Sequence, residues 1–176
     1  ISYCATCDAK YYENKEVVVI GGGNSAIEES LFLTKFVSKL TIIHQFNKLT
    51  ANADAQHKAM NNQKISFIFN SEPREFKKQN NKMIIIYENI ISKELNTISA
   101  DGIFVFVGMK PNLDIFKNAN LKLDNYGYIV TDNLMHTSIP DVFAAGDIIS
   151  KKYRQITTAT ADGTIAAIAI AEEIDK

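Results

Sequence analysis

Residues Val17 to Glu29 constrain this chain more than any other stretch. The apolar run Val17 to Ile20 reads as a buried strand. Ala26, Ile27, Leu31, Phe32 and Phe36 then recur at a spacing that gives a helix one buried face. Between strand and helix, Gly21, Gly23 and Ala26 fill the pattern G-x-G-x-x-G/A, with Gly22, Asn24 and Ser25 completing the loop. The first glycine makes the tight turn, the second lets backbone approach a pyrophosphate, and the small third residue lets helix and strand pack closely. Phosphates would sit on unpaired N–H groups at the helix start. A glycine turn in an ordinary strand-helix unit is the plain alternative. The strand before and the helix after favour a dinucleotide site.

The chain has 176 residues, 46% of them hydrophobic, enough for one domain or two small ones. A net charge of -1 and a pI near 6.3 give no electrostatic case for nucleic acid or an anionic membrane surface. No apolar run approaches the roughly 18 residues of a membrane span. The start, Ile1-Ser2-Tyr3-Cys4, shows no signal peptide, and a cytoplasmic setting is the expectation. The lack of a first methionine points to a processed chain or a piece of something longer.

Both cysteines fall in Cys4-Ala5-Thr6-Cys7. A structural zinc site needs a second ligand pair, and His44, His57 and His136 are scattered without ligand spacing, so no metal is expected. Beside a strand-helix nucleotide unit, a Cys-x-x-Cys reads as a redox pair that opens and closes. A helix start there would favour the attacking thiolate. Asp8 is placed to hand a proton to a leaving thiolate. Two inert buried thiols are the alternative.

Lys39 to His44 reads as the second parallel strand. It ends about 20 residues past the fingerprint, where a cofactor's adenosine ribose belongs. An acid there favours NAD and an arginine favours NADP, but the chain offers His44-Gln45-Phe46-Asn47-Lys48. Lys48 provides at most a point charge, so NADH or NADPH stays open with a lean to NADH or to no strong preference. A short helix is expected over Asn52 to Asn61 and a strand over Ile65 to Phe69. Glu75 to Lys78, Met83 to Tyr87 and Ile98 to Ala100 should form a small antiparallel meander over one sheet face, with Lys77, Lys78 and Lys82 on a solvated turn. Gly102 to Gly108 reads as a buried strand closing the nucleotide unit. Beyond it, the pattern predicts a short helix over Asp114 to Ala119, a strand at Tyr128 to Val130, and an apolar strand over Val142 to Ala145 ending in Gly146-Asp147. A final helix is expected over Thr158 to Glu173. Asp147 either accepts hydrogen bonds from a polyol or merely caps a turn.

Four motifs in order carry a family likeness: Cys4-Ala5-Thr6-Cys7-Asp8, then Val19 to Glu29 with its paired Glu28-Glu29, then Ser138 to Asp147, then Tyr153-Arg154-Gln155. Together they resemble the low-molecular-weight thioredoxin reductases. The similar flavoprotein subunit of alkyl hydroperoxide reductase shares most of these marks. The likeness implies an α/β fold: a Rossmann-like parallel sheet with an antiparallel meander over residues 1–107, then the C-terminal part of an FAD-binding domain over 108–176. The family's first segment, with its own glycine fingerprint, has no counterpart here. The resemblance implies electron flow from a reduced nicotinamide through FAD to the Cys4–Cys7 pair and on to a thioredoxin-like protein disulfide, in a homodimer whose domains rotate. It implies Asp8 as proton donor, and Gly21 to Ala26, Glu29, His44, Gln45 and Gly108 on the nicotinamide dinucleotide. Gly146 and Asp147 would lie on the FAD ribityl chain, with Arg154, Gln155 and Ile156 along the flavin. NADPH-using members carry His-Arg-Arg where this chain has His44-Gln45-Phe46, and a further arginine at Thr50. The hydroperoxide-reductase relatives place an acid near His44. A fragment that holds a nucleotide without turnover is the competing reading.

Overall fold

The computed structural model describes residues 1–116 and 118–175. The chain divides into two compact units, Ile1–Gly108 and Met109–Lys176.

The first unit is built on a four-stranded sheet. Strand β1 (Glu16–Ile20) pairs in parallel with β2 (Lys39–Ile43) on one side and β7 (Gly102–Val105) on the other, and β2 pairs with β3 (Ile65–Ile68), giving the order β3-β2-β1-β7. Consecutive β-branched residues suit β1 because a central parallel strand is covered on both faces. Alternate side chains separate the two faces. Val17, Val19, Leu40, Ile42 and Phe104 join one core, shared with Ile27 and Leu33 of helix α2 (Asn24–Leu33) and Ala55 and Ala59 of helix α3 (Ala53–Met60). Val18, Ile20, Ile43 and Ile103 join the other.

The second core is closed by the expected antiparallel meander, β4 (Ser71–Gln79), β5 (Lys82–Asn89) and β6 (Leu95–Ala100). Met83, Ile85, Tyr87, Ile98 and Ala100 supply its inner residues. Asn80 and Asn81, both at positive φ (47° and 61°), make the β4–β5 turn, the backbone that a two-residue hairpin needs. One expectation shifts. The buried face of α2 is Ala26, Ile27, Ser30 and Leu33, while Leu31 and Phe32 are half-buried. The helix ends at Leu33, so Phe36 lies beyond it and its N–H bonds back to the Leu33 carbonyl.

The second unit is sparser. Helix α4 (Ile156–Ile174) starts from Gln155 with a reciprocal capping box to Thr158. The strands expected at Tyr128 to Val130 and Val142 to Ala145 are present only as isolated pairings, Ile129 with Leu123 and Ile149, and Phe143 with His136. Extended backbone becomes a strand only with a continuous neighbour, and each segment meets its neighbour at one or two residues. Asp114–Phe116 is a single 3₁₀ turn, and the remainder of that expected helix crosses residue 117, outside the described residues. Among the described residues no helix is long and apolar enough to cross a membrane.

Candidate active site

A cleft of about 650 Å³ opens where β1, β2 and β7 end. Gly21 leaves β1 at φ +129°, and a Cβ there would stand 2.4 Å from the Phe106 carbonyl oxygen, so only glycine fits. Its N–H donates to the Ile43 carbonyl at 3.0 Å, and the Phe106 N–H to the Ile20 carbonyl at 2.9 Å, which carries the sheet one rung past its strands. Gly22 lies against the His44 ring, which an added Cβ would meet at 2.5 Å. Gly23 is the N-cap of α2 and among the described residues no side chain caps that helix start, the kind of N–H arrangement that can hold an anion.

The loop after β2 is strapped across this turn. The Thr50 N–H donates to the Gly22 carbonyl at 2.9 Å, and the Asn52 N–H to the Asn24 side-chain oxygen at 2.7 Å. Gly21 to Ser25, His44, Gln45 and Gly108 all line the cleft. Ala26 is buried behind the turn, within 3.2 Å of where a Gly21 Cβ would be. Glu29 does not line the cleft. Its Oε2 is buried without a partner among the described residues, and its carboxyl is pushed up first by burial and then by the charge of Glu28. His44 is buried at the end of β2, edge-on to Phe46 at 5.3 Å, and its Nε2 has no partner among the described residues. Burial pulls its pKa down, against a hydrogen bond to the Lys48 backbone, and so favours the neutral ring.

Sequence reasoning missed the contribution of the meander. Ser71, Glu72 and Pro73 line the same cleft, because the Ser71 N–H donates to the His44 carbonyl at 3.0 Å and the Asn70 N–H to the Phe46 carbonyl at 3.1 Å. The available signal was topological: β3 is parallel to β2, so the chain leaving β3 emerges at the same sheet edge.

The second chemical feature of this unit is a Cys4–Cys7 disulfide. Ser2 pins it beside β7, donating from its N–H to the Ile103 carbonyl at 2.8 Å and accepting from the Val105 N–H at 2.9 Å. Cys4 is the N-cap of helix α1 (Ala5–Asp8), and its sulfur accepts the Cys7 N–H at 3.2 Å. Cys7 is exposed and Cys4 and Asp8 are half-exposed. Asp8 makes itself felt at Tyr12, whose hydroxyl pKa is raised first by burial and then by the Asp8 charge. Neither cysteine lines the cleft. Among the described residues no cluster of His, Cys, Asp and Glu could hold a metal.

In the second unit, Gly146 (φ +86°) and Asp147 open a 3₁₀ turn, Gly146–Ile148. Asp147 is exposed, 3.5 Å from the Lys151 ammonium. The Arg154 guanidinium stacks 3.7 Å from the Tyr128 ring centre and donates to the carbonyls of Asp147 and Ile149, both at 3.3 Å. Gln155 caps α4, and Ile156 is 86% exposed.

A family profile described as pyridine nucleotide-disulphide oxidoreductase matches residues 1–163. The chain belongs to that family. Within it, the chain is 44% identical over 173 residues to a thioredoxin reductase of Peptoclostridium acidaminophilum, covering 95% of this chain and 55% of the relative. It is 43% identical over 168 residues to the "34.2 kDa protein in rubredoxin operon" of Clostridium pasteurianum, covering 96% and 54%. The crystal structure of thioredoxin reductase from Streptococcus pyogenes superposes with a TM-score of 0.88 at 37% identity, covering 99% of this chain and 57% of that one. The likeness to thioredoxin reductases read from the motifs therefore holds, as does the α/β fold. The chain spans about half the length of the curated relatives it matches.

Proposed function

We propose that this chain carries the dinucleotide site and the redox dithiol of a thioredoxin-reductase-type flavoenzyme. The complete activity is reduction of a thioredoxin-like protein's disulfide, with electrons drawn from a reduced nicotinamide dinucleotide through FAD. One observation carries the reading: a single unit holds both a helix start left uncapped by side chains, opening on a cleft, and a Cys4–Cys7 disulfide at a second helix start.

In the cleft, the first-turn N–H groups of α2 and the glycine backbone would hold the pyrophosphate, with the ribose beside His44 and Gln45. Neither cysteine lines that cleft, which suits a carrier between donor and disulfide, as the family likeness implies. FAD, when bound, supplies a ring that accepts a hydride's two electrons and passes them to a disulfide. The residues of the second unit fit such a group. An exposed carboxylate at Asp147 suits polyol hydroxyls, Gly146 supplies the positive φ that opens the turn beside it, and the exposed Ile156 offers an apolar contact for a flat ring. Arg154 would act through the backbone it holds, Gln155 through the cap of α4.

Two electrons entering the Cys4–Cys7 bond leave two thiolates. The Cys4 sulfur accepts the Cys7 N–H, which favours its ionised form. Asp8 would supply the proton for the other sulfur. Cys4 then attacks the partner's disulfide, Cys7 displaces the resulting mixed disulfide, and the partner leaves as a dithiol while Cys4–Cys7 re-forms. Such a cycle suits a cytoplasmic setting, and the family likeness implies a homodimer.

The test uses the chain reduced with dithiothreitol, desalted, and mixed with oxidised thioredoxin. Two thiols should appear on the acceptor per chain, none from Cys4→Ser, and a trapped mixed disulfide from Cys7→Ser. No transfer from the reduced chain would overturn the dithiol role. Transfer to a peroxiredoxin-type acceptor alone would move the chain to the hydroperoxide-reductase branch.

A further inference from the structure

The cleft contains a discriminating group that no residue adjacent in sequence to β2 provides. Two backbone hydrogen bonds, Ser71 to His44 and Asn70 to Phe46, bring the start of β4 against the end of β2. Glu72 follows at once and lines the cleft with Gln45, Phe46 and Thr50. Among the described lining residues it is the one carboxylate, and none is a lysine or arginine. Lys48 is exposed and does not line the cleft.

Arg74 is the one arginine of the first unit, and it is already engaged. Its Nε donates to Glu88 Oε2 at 2.8 Å and its NH1 to Glu72 Oε2 at 2.9 Å, and it does not line the cleft. Turning it toward a phosphate would break two charge-assisted bonds. Arg74 leaves Glu72 Oε1 unengaged, so the carboxylate keeps an acceptor for a ribose hydroxyl.

Resting on the dinucleotide reading of this cleft, we propose that Glu72 selects a dinucleotide whose adenosine ribose carries a free 2′-hydroxyl, and rejects one with a 2′-phosphate. The chemistry is that of an acidic residue at the ribose position of a strand-helix nucleotide fold, supplied here from the meander rather than from the end of the second strand. A hydroxyl donates to the carboxylate. A phosphate monoester, carrying nearly two negative charges at neutral pH, meets a carboxylate, and the Arg74 guanidinium beside it is already tied to Glu72 and Glu88.

The experiment is a fluorescence titration of the full chain with NADH, NADPH, ADP-ribose and 2′-phospho-ADP-ribose. Each unphosphorylated ligand should bind at least about tenfold tighter than its 2′-phosphorylated counterpart. Added salt should narrow that gap by screening the repulsion. Glu72→Gln should narrow it by about fivefold, chiefly by tightening the phosphorylated ligands. Equal affinities on the unaltered chain would overturn the proposal while leaving the dinucleotide reading intact. So would an unchanged ratio in a folded Glu72→Gln chain. If that variant fails to fold, the four-ligand comparison on the unaltered chain still decides. Failure to bind any of the four would instead overturn the dinucleotide reading itself, and the role of Glu72 with it.

Discussion

Residues 1–108 and residues 109–176 use similar local patterns to different effect. In the first unit, Val17 to Ile20 has continuous neighbours on both edges, and every one of its apolar side chains enters one of two cores. In the second, Val142 to Ala145 is just as apolar, yet its pairing is a single bridge from Phe143 to His136, and Val142 is 40% exposed. Among the described residues the buried cluster there is Met135, Ile149 and Ala166, with Phe143, Ala144, Ala145 and Ile148 packed half-buried against it. Ile156, Ile168 and Ile174 of α4 remain largely exposed. An apolar run becomes a buried strand when other chain covers it on both sides. Composition alone does not tell the two situations apart.

The sharpest way to break this comparison is to delete one core side chain from each unit. Phe104, fully buried against Tyr12 and the α2 core, should cost about 3–5 kcal/mol as Phe104→Ala. Ile149 sits in a small cluster edged by half-buried side chains, so Ile149→Ala should fall at or below the low end of the buried-Ile range, about 2 kcal/mol. Denaturant unfolding followed by tyrosine fluorescence measures both. Equal costs would mean the second unit is as well packed as the first.

Next in size is Gly21→Ala. A left-handed φ costs a residue with a Cβ about 1–2 kcal/mol, and the 2.4 Å approach to the Phe106 carbonyl forces backbone to move as well. A loss of about 3 kcal/mol in stability is expected, with dinucleotide affinity falling at least about tenfold because the proposed phosphate site rests on that turn. A variant that keeps both stability and affinity would show that the turn can relax, and would weaken the case that the first unit is shaped around a ligand.

The two units also differed in how much of each was legible. The glycine loop follows from its fingerprint, the outer parallel strands from the alternation at Ile65 to Phe69 and the apolar run from Gly102 to Gly108, and the meander from strand-like pieces joined by polar turns such as Asn80-Asn81, all local signals. The place of His44 and Gln45 at the cleft was legible because a strand end is a local feature too. Glu72 was not, since its position depends on the register of β3 beside β2 and on a hydrogen bond from Ser71 to His44, separated by 27 positions. Glu29 shows the opposite case. It belongs to a contiguous motif, but on α2 it does not line the cleft that the motif opens. In the second unit the long helix was legible from its Ala/Ile run, whereas the strands were not, because their pairing needs neighbours that no local pattern specifies.

The smallest effect sets one histidine in each unit against the other. His136 faces a carboxylate at each ring nitrogen and in its charged form donates to both, 2.7 Å from Glu173 Oε1 and 2.9 Å from Asp132 Oδ2, and these partners, Glu173 first, raise its pKa above the usual histidine value of about 6.5. Its charged form therefore ties the end of α4 to the loop at Asp132. That contribution is complete below the usual value and is lost as pH rises through the raised one. His44 runs the other way. Burial lowers its pKa, so its contribution is present above the usual value and is lost as pH falls from there toward the lowered one. Hydrogen exchange, corrected for its intrinsic pH dependence, should show α4 loosening near Glu173 at mildly alkaline pH and the β2 end loosening at mildly acidic pH. His136→Gln should remove the first response and leave the second. In an NMR titration the two rings should bracket the usual value from opposite sides. A His136 midpoint at or below that value would mean the bridge between Asp132 and Glu173 does not persist in solution, and the second unit would lose one of the few long-range ties it has.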